Sequence, residues 1–230
     1  MGAVIPLSDA SRRPVHFPVV TILIVAINAF VFLCELIGGE EFVMRWAAVP
    51  ADITSGQHLL TIVTSMFMHG SWSHIVGNMV FLWAFGPQIE DAMNPWRYAV
   101  FYLVGGLIAM LAQIVAMPDA TVPCLGASGA IAAVMGAFLV IYPRDEIRSL
   151  WVFLFFVRVT FIPAAVLIGV WFLIQLFSVG AVASVQTGGV AYLAHIGGFV
   201  FGVAAARLLV HRERVAERTS QKLVRRSGDD

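Results

Sequence analysis

Hydrophobic residues occur in long runs along this chain, and short polar segments separate the runs. A membrane-spanning helix needs roughly 20 consecutive apolar residues, and the first run, residues 18–37, has about that length. Later runs predict five further spans, at about residues 74–88, 97–116, 127–142, 160–178 and 189–210. The pattern therefore predicts an all-α polytopic membrane protein with six spans.

The segments between the spans complete the predicted layout. Residues 38–73 mix apolar and polar positions and predict a long loop, partly helical and half-sunk in the membrane interface. Residues 150–157 are left over once the fifth span is placed, and they predict a re-entrant or interfacial piece. The chain then divides into a polar N-terminal segment (residues 1–17), a membrane core (18–210) and a charged tail (211–230).

Composition agrees with the membrane class. The chain is 60% hydrophobic and 12% charged, whereas soluble domains are about half apolar and a quarter charged. The first run is too long for the core of a signal peptide and lacks a convincing cleavage site, so we interpret it as an uncleaved span. Cys34 and Cys124 are too few for a disulfide scaffold and form either one disulfide or two separate thiols. No nucleic-acid-binding motif is present, so no nucleic-acid partner is expected.

The distribution of positive charge predicts the orientation. Lys and Arg near the ends of spans concentrate on the cytoplasmic side. If the N-terminus lies inside, every one of the 14 Lys and Arg residues except Arg45 falls on an inner segment. Six spans, with both termini in the cytoplasm, fit this bias, whereas five or seven would break it.

In this orientation the second, fourth and sixth spans all run from outside to inside, and each has polar residues near its beginning. His74 and Asn78 open the second span, and Ser128 opens the fourth. His195 lies roughly six residues into the sixth span, on the order of 10 Å below its outer end at 1.5 Å per residue. Three separate segments therefore bring polar side chains to one depth near the outer face.

Small residues predict that these segments meet. Ser128, Ala132 and Gly136 follow one another at i, i+4 and i+8, and His195 shares a helix face with Gly198 and Gly202. Small residues let membrane helices approach closely, because packing rather than hydrophobicity holds helices together there. The simpler interpretation of a lone serine on such a row is helix packing. The polar residues at the same depth favour a site in which serine and imidazole lie within hydrogen-bond reach.

The residue types suggest nucleophilic catalysis. A serine hydroxyl becomes a nucleophile when a base takes its proton, and histidine is the usual base near neutral pH. Candidate donors to the oxyanion of a tetrahedral intermediate are the Asn78 amide, His74 and the Ser128 backbone N–H at a helix start. No Asp or Glu lies at that depth on these three spans, so we expect a Ser–His dyad rather than a triad.

The motifs around these residues resemble those of the rhomboid intramembrane serine proteases. They are Gly126-Ala-Ser128-Gly129, Ala194-His195-Ile-Gly-Gly198 and His69-Gly-Ser-Trp-Ser-His74-Ile-Val-Gly-Asn78-Met. The resemblance covers roughly residues 18–210. It implies a six-helix bundle that hydrolyses a peptide bond within or beside the transmembrane segment of another protein.

The resemblance also implies the site roles. Ser128 would be the nucleophile and His195 the general base, with His74 and Asn78 on the oxyanion side and Gly126, Gly129 and Gly198 in support. We expect transmembrane protein substrates in a lipid bilayer, and no cofactor or metal. The expected location is a bacterial cell membrane, with the active site open to the outer face.

Three other functions compete with this hypothesis. The first is a proteolytically silent relative that binds membrane clients, although such relatives typically lose the serine or the histidine. The second is a metal or haem site built from His69, His74 and His195. A small-solute transporter is a weaker hypothesis, because no inverted repeat is evident.

We further expect His69 to be a structural histidine, and Glu90 and Arg97 to be able to form a structural ion pair.

Overall fold

The computed structural model of the protein describes residues 2–154, 156–182, 191–210 and residue 215. Within these residues the fold is mostly helical, with a small antiparallel sheet. The elements, in chain order, are β1 (Gly2–Asp9), α1 (Val19–Trp46), α2 (Pro50–Thr54), α3 (Thr61–Thr64), a 3-10 helix (Ser65–Phe67), α4 (Trp72–Met93), α5 (Pro95–Ala116), α6 (Ser128–Ile141), β2 (Glu146–Phe153), β3 (Phe156–Pro163), α7 (Ala164–Val182) and α8 (Tyr192–Leu209). Residues 183–190 and most of the tail predicted at 211–230 lie outside the described residues.

Each predicted span overlaps one helix, although residues 160–163 of the predicted fifth span belong to β3. By length and composition, α1, α5 and α8 could cross a membrane, whereas α6 and the Ala164–Phe177 part of α7 are shorter apolar helices. Helix α1 continues to Trp46, beyond the predicted end at residue 37, with a break at Gly39 (φ 61°, ψ −152°). The predicted loop 38–73 is therefore partly helical, since it contains the end of α1, α2, α3 and the 3-10 helix.

The prediction of an all-α chain is wrong at the sheet. Residues 150–157, expected as a re-entrant or interfacial piece, belong to an antiparallel hairpin in which β2 pairs with β3 from Glu146↔Pro163 to Phe153↔Phe156. Strand β1 adds to the other edge of β2. Both hairpin strands are rich in β-branched and aromatic residues, which favour strands. A short apolar run looks alike in a strand and in a buried helix, so hydropathy alone missed the hairpin.

Helix α6 lies at the centre of the fold. Every residue from Gly129 to Phe138 is buried, and the helix contacts α4, α5, α7 and α8. A helix that is apolar all round fits such a position, because it has no face for water. Ser128, the first residue of α6, is thereby held at the N-terminal end of this buried helix.

A carboxylate at the end of α4 holds the first turn of α1. The Glu90 carboxylate accepts hydrogen bonds from the backbone N–H groups of Val20 (2.9 Å) and Thr21 (2.8 Å) and from the Thr21 hydroxyl (2.8 Å). An anion at a helix N-terminus satisfies unpaired amides and complements the helix dipole. The predicted Glu90–Arg97 pair is wrong, because Glu90 is engaged here and the Arg97 guanidinium donates to the Leu209 carbonyl (3.4 Å).

A second carboxylate cluster docks β1 onto the sheet. Arg12 donates to Asp145 through Nε and Nη2, and its guanidinium lies 4.0 Å from the centre of the Tyr142 ring. Asp9 is buried beside them and accepts a hydrogen bond from the Ser11 backbone N–H (2.7 Å). Burial, and next the nearby carboxylate of Asp145, raise the pKa of Asp9 from 3.8 to about 7.

The docking of β1 is therefore expected to weaken as the pH rises. Because the folded state holds the Asp9 proton more tightly than the unfolded chain, its stabilisation is complete below about pH 4 and is lost as the pH rises to about 7. Hydrogen exchange of residues 2–9, corrected for intrinsic rates, should show protection falling several-fold across that interval. In Asp9→Asn, which keeps the oxygen acceptor but does not titrate, protection should not change with pH. An equal loss in both proteins would contradict the assignment.

Candidate active site

Helices α6 and α8 touch through their backbones. A Cβ atom added at Gly198 would collide with the Gly129 carbonyl oxygen, and one added at Gly202 with the Ala133 carbonyl oxygen. Gly129 and Ala133 of α6 thus lie beneath the glycines of α8, one residue on from the predicted Ser128 and Ala132. Gly136 of the predicted row does face α8, because a Cβ there would collide with the Phe199 carbonyl oxygen. Because Gly198 and Gly202 lack Cβ atoms, the two helices come close enough for side chains on their first turns to meet.

The loop before α6 delivers Ser128 to this contact. Gly126 has a φ of 130°, a conformation that L side chains rarely adopt, and its N–H donates to the Ser65 carbonyl (2.8 Å). A Cβ at Gly126 would also lie 2.9 Å from the imidazole of His74. The loop can therefore run beside His74 and begin α6 at Ser128 only because residue 126 is a glycine.

The Ser128 hydroxyl and the His195 imidazole meet directly. Ser128 Oγ lies 2.6 Å from His195 Nε2, and His195 is only 8% exposed. The serine comes from the first turn of α6 and the histidine from the first turn of α8, so the distance depends on the glycine contact between these helices. A hydroxyl so placed can pass its proton to an imidazole that has a free lone pair.

A third side chain, which the sequence analysis missed, completes a chain of hydrogen bonds. Gln175 on α7 is buried, and its Oε1 lies 2.7 Å from His195 Nδ1. The expected Ser–His dyad therefore has a neutral amide behind it in place of the carboxylate of a triad. The available signal was a single polar residue between Ala164 and Phe177, because an isolated polar side chain in an apolar helix usually has a partner.

The two candidate oxyanion residues lie on α4. The N-terminus of this helix is capped by the Ser71 hydroxyl, which accepts from the His74 backbone N–H (3.2 Å). The His74 ring borders Gly126, next to Ser128. Asn78 is buried, and its Nδ2 has no hydrogen-bond partner among the described residues. A buried amide donor without a partner is costly, so it is available for an acceptor such as an oxyanion.

His69 lies behind His74. Its ring stands edge-on to the His74 ring at 5.1 Å between centres, and its backbone N–H donates to both oxygens of Glu35 (3.0 and 3.1 Å). The Glu35 carboxylate of α1 thereby holds the segment that leads into α4. Within the part of the chain that the structure describes, no three His, Cys, Asp or Glu side chains are grouped to hold a metal ion.

A small, mainly apolar cavity opens beside Ser128. Its walls include Met66, Gly106, Cys124, Gly129 and Ala194. Cys124 is a free, half-buried cysteine, as is Cys34, and burial raises the pKa of the Cys124 thiol. The cavity therefore offers a neutral space next to the hydroxyl that would suit a small apolar group.

Comparisons with known proteins agree with the motifs. A family model described as the Rhomboid domain matches residues 56–212, more than half of the chain. Rhomboid protein 1, mitochondrial, of Saccharomyces cerevisiae is 28% identical over 187 residues, 78% of this chain and 50% of that protein. Rhomboid protease GluP of Bacillus subtilis is 28% identical over 196 residues, 84% of this chain and 35% of that protein.

An uncharacterized protein of Mycobacterium tuberculosis is 26% identical over 231 residues, which cover 97% of this chain and 88% of that protein. The chain spans half or less of the length of the yeast and Bacillus relatives. The domain match and the candidate spans together identify an integral membrane protein.

The substitution Gly198→Ala should destabilise the protein by separating α6 from α8. The new methyl group would overlap the Gly129 carbonyl, and overpacking of this kind costs about 1–3 kcal/mol. Gly169→Ala on α7 is the matched control, because nothing lies within 4 Å of a Cβ there. Thermal unfolding of the purified protein in detergent should show a lower midpoint for Gly198→Ala only. Equal midpoints for the two variants would contradict the close contact.

Proposed function

The chain belongs to the rhomboid family, and we propose that it is a serine endopeptidase that cleaves transmembrane segments of other membrane proteins. The observation that carries the proposal is the 2.6 Å contact between Ser128 Oγ and His195 Nε2. Both side chains lie within the matched domain, and one relative, GluP, is named a protease. A silent, client-binding relative would have no need of this contact, so the protease is the better explanation.

We propose further that α1, α4, α5, α6, α7 and α8 all cross the bilayer, with both termini in the cytoplasm. Large apolar side chains on the outside of the helices support contact with lipid, among them Phe30, Ile37, Val115 and Phe177. The exposed Phe153 and Phe156 at the end of the β2–β3 hairpin suit the membrane interface on the cytoplasmic side. In this arrangement Ser128 opens toward the outer face. The bacterial cell membrane remains our expectation, and the relatives include mitochondrial proteins.

The proposed reaction is acyl transfer to Ser128 followed by hydrolysis. The hydroxyl proton passes to His195 Nε2 as Oγ bonds to the carbonyl carbon of the substrate. The imidazolium then returns the proton to the amide nitrogen as the C–N bond breaks, which releases one fragment. A water molecule, deprotonated by the same imidazole, next attacks the ester and frees the second fragment and Ser128. No cofactor is needed, because each step only moves a proton and exchanges one acyl bond.

The oxyanion of each tetrahedral intermediate needs hydrogen-bond donors in a site with little water. Asn78 Nδ2, the ring of His74 and the Ser128 backbone N–H are the proposed donors, and the unpartnered Nδ2 supports this role. The apolar cavity beside Ser128 would receive a small side chain next to the cleaved bond. The substrate segment must leave its helical conformation first, because a helical carbonyl is hydrogen-bonded and shielded.

Single substitutions at the dyad should abolish cleavage. Co-expression with a test transmembrane substrate should show Ser128→Ala and His195→Ala each losing several orders of magnitude of activity. The double variant should lose little more, because the two residues act as a unit. A fluorophosphonate should label the wild type and not Ser128→Ala. The mapped cut should lie toward the outer end of the substrate helix, which checks the orientation.

A folded wild type that takes no label, with cleavage that survives Ser128→Ala, would exclude the protease. Clients still bound after both substitutions, without cleavage by the wild type, would favour the silent relative. A cut at the cytoplasmic end of the substrate would overturn the orientation alone.

Removal of the Asn78 amide should slow the chemical step. Asn78→Ala should lower kcat by about 10²–10³-fold with little change in KM, because the oxyanion forms only after binding. Asn28→Ala is the control, since Asn28 is buried on α1 and its Nδ2 already donates to the Ile24 carbonyl (2.7 Å). An unchanged kcat in Asn78→Ala, or an equal loss in the control, would remove Asn78 from the mechanism.

A further inference from the structure

Gln175 is a buried polar side chain to which the proposed mechanism assigns no role. It is 7% exposed and is the only polar residue between Ala164 and Phe177 on α7. Its Oε1 contacts His195 Nδ1, the ring nitrogen that does not face Ser128. Polar side chains within membrane helices are rare and usually functional, which makes this contact a candidate for a specific task.

The polar contacts of Gln175 favour one orientation of its amide. Gln175 Nε2 lies 3.5 Å from the Trp171 carbonyl oxygen, one turn earlier on α7, and an oxygen can only accept. The NH₂ group therefore faces Trp171, and the amide oxygen faces His195 Nδ1. An oxygen at 2.7 Å requires the hydrogen on Nδ1, because two acceptors at that distance would repel.

The same reasoning determines the state of the other ring nitrogen. A neutral imidazole carries one N–H, so a hydrogen on Nδ1 leaves a lone pair on Nε2. That lone pair faces Ser128 Oγ at 2.6 Å and can accept the hydroxyl proton. The opposite tautomer would put N–H against the serine and could not act as a base.

We propose that Gln175 is a positioning residue that holds His195 in the Nδ1–H tautomer, which alone can activate Ser128. The inference rests on the proposed protease function and adds a residue to it. Among the described residues, no Asp or Glu hydrogen-bonds to His195. An amide supplies the acceptor without the desolvation cost of a buried carboxylate, and its bond to Nδ1 strengthens when the ring becomes an imidazolium.

Aromatic neighbours restrain the ring independently of Gln175. The Trp171 ring lies 5.8 Å from the His195 ring, and Tyr192 stands edge-on to it at 6.3 Å between centres. Loss of the amide should therefore change the tautomer far more than the position of the imidazole. The expected effect falls on the chemical step and not on substrate binding.

The decisive variants are Gln175→Met and Gln175→Glu in the purified full-length protein. Methionine has a similar volume but only a weak acceptor, whereas glutamate keeps an oxygen facing Nδ1. Gln175→Met should lower kcat, and the rate of fluorophosphonate labelling of Ser128, by about 5- to 30-fold, the equivalent of one buried hydrogen bond. KM and the thermal midpoint should stay near wild type, and Gln175→Glu should recover most of the rate.

Gln113→Met is the matched control. Gln113 is a buried glutamine on α5 whose Nε2 contacts Met117 Sδ, not His195, so this variant should keep wild-type rates.

The tautomer of His195 can be measured without any catalytic assay, by ¹⁵N NMR of protein labelled at histidine. Comparison with His195→Ala identifies the His195 signal. The wild type should show Nδ1–H, and Gln175→Met a mixture of tautomers.

The outcomes separate this inference from the proposed function. Wild-type kcat in Gln175→Met, or equal losses in the Met and Glu variants with a raised KM, would leave Gln175 a packing residue only. An Nε2–H tautomer in the wild type would overturn the inference whatever the protease assays show. A wild type that has the Nδ1–H tautomer but neither cleaves nor labels would overturn the protease and leave the assignment of the hydrogen bond standing.

Discussion

The close approach of α6 and α8 is the constraint on which the candidate site depends. Lipid is as apolar as the helices, so association in a membrane relies on backbone contact and packing. Gly198 against Gly129, and Gly202 against Ala133, leave no room for a Cβ. With the helix axes held this near, side chains on the first turns of both helices come within hydrogen-bond distance, as Ser128 and His195 do.

Charge is arranged differently at the two ends of the fold. The site consists of the Ser128 hydroxyl, two imidazoles and two amides, and none of them needs a counter-ion inside the membrane. Toward the other end, Glu90 accepts from the first amides of α1, and Arg12 pairs with Asp145 beside β1. The ionised groups at that end thus fasten the N-terminal segment, while neutral polar groups surround Ser128 and the Glu35 carboxylate binds the backbone of His69. This division fits a protein whose chemistry is proposed to lie below the membrane surface.

Much of the layout could be predicted from the sequence. Apolar runs marked the helices α1, α4, α5, α6, α7 and α8, because hydrophobic length is a strong signal in membrane proteins. The hairpin of β2 and β3 was missed, since its apolar residues resemble a span in hydropathy and differ only in β propensity. The predicted pairing of Glu90 with Arg97 was wrong. The partners of Glu90 are backbone amides of α1, about 70 residues away in the chain, and the pattern of side-chain types does not indicate contacts to backbone groups.

The sequence by itself determined which segments are apolar, which motifs mark the rhomboid family and which few polar residues open the second, fourth and sixth predicted spans. Only the tertiary structure decided which of these side chains touch. The α6 backbone beneath Gly198 and Gly202 belongs to Gly129 and Ala133 and not to Ser128 and Ala132 of the predicted row, although Gly136 of that row does meet α8. Gln175 reaches His195 from a helix that no motif marked. Contacts of this kind depend on how each helix is rotated about its axis. That rotation is decided by packing over the whole bundle, for which local pattern carries no information.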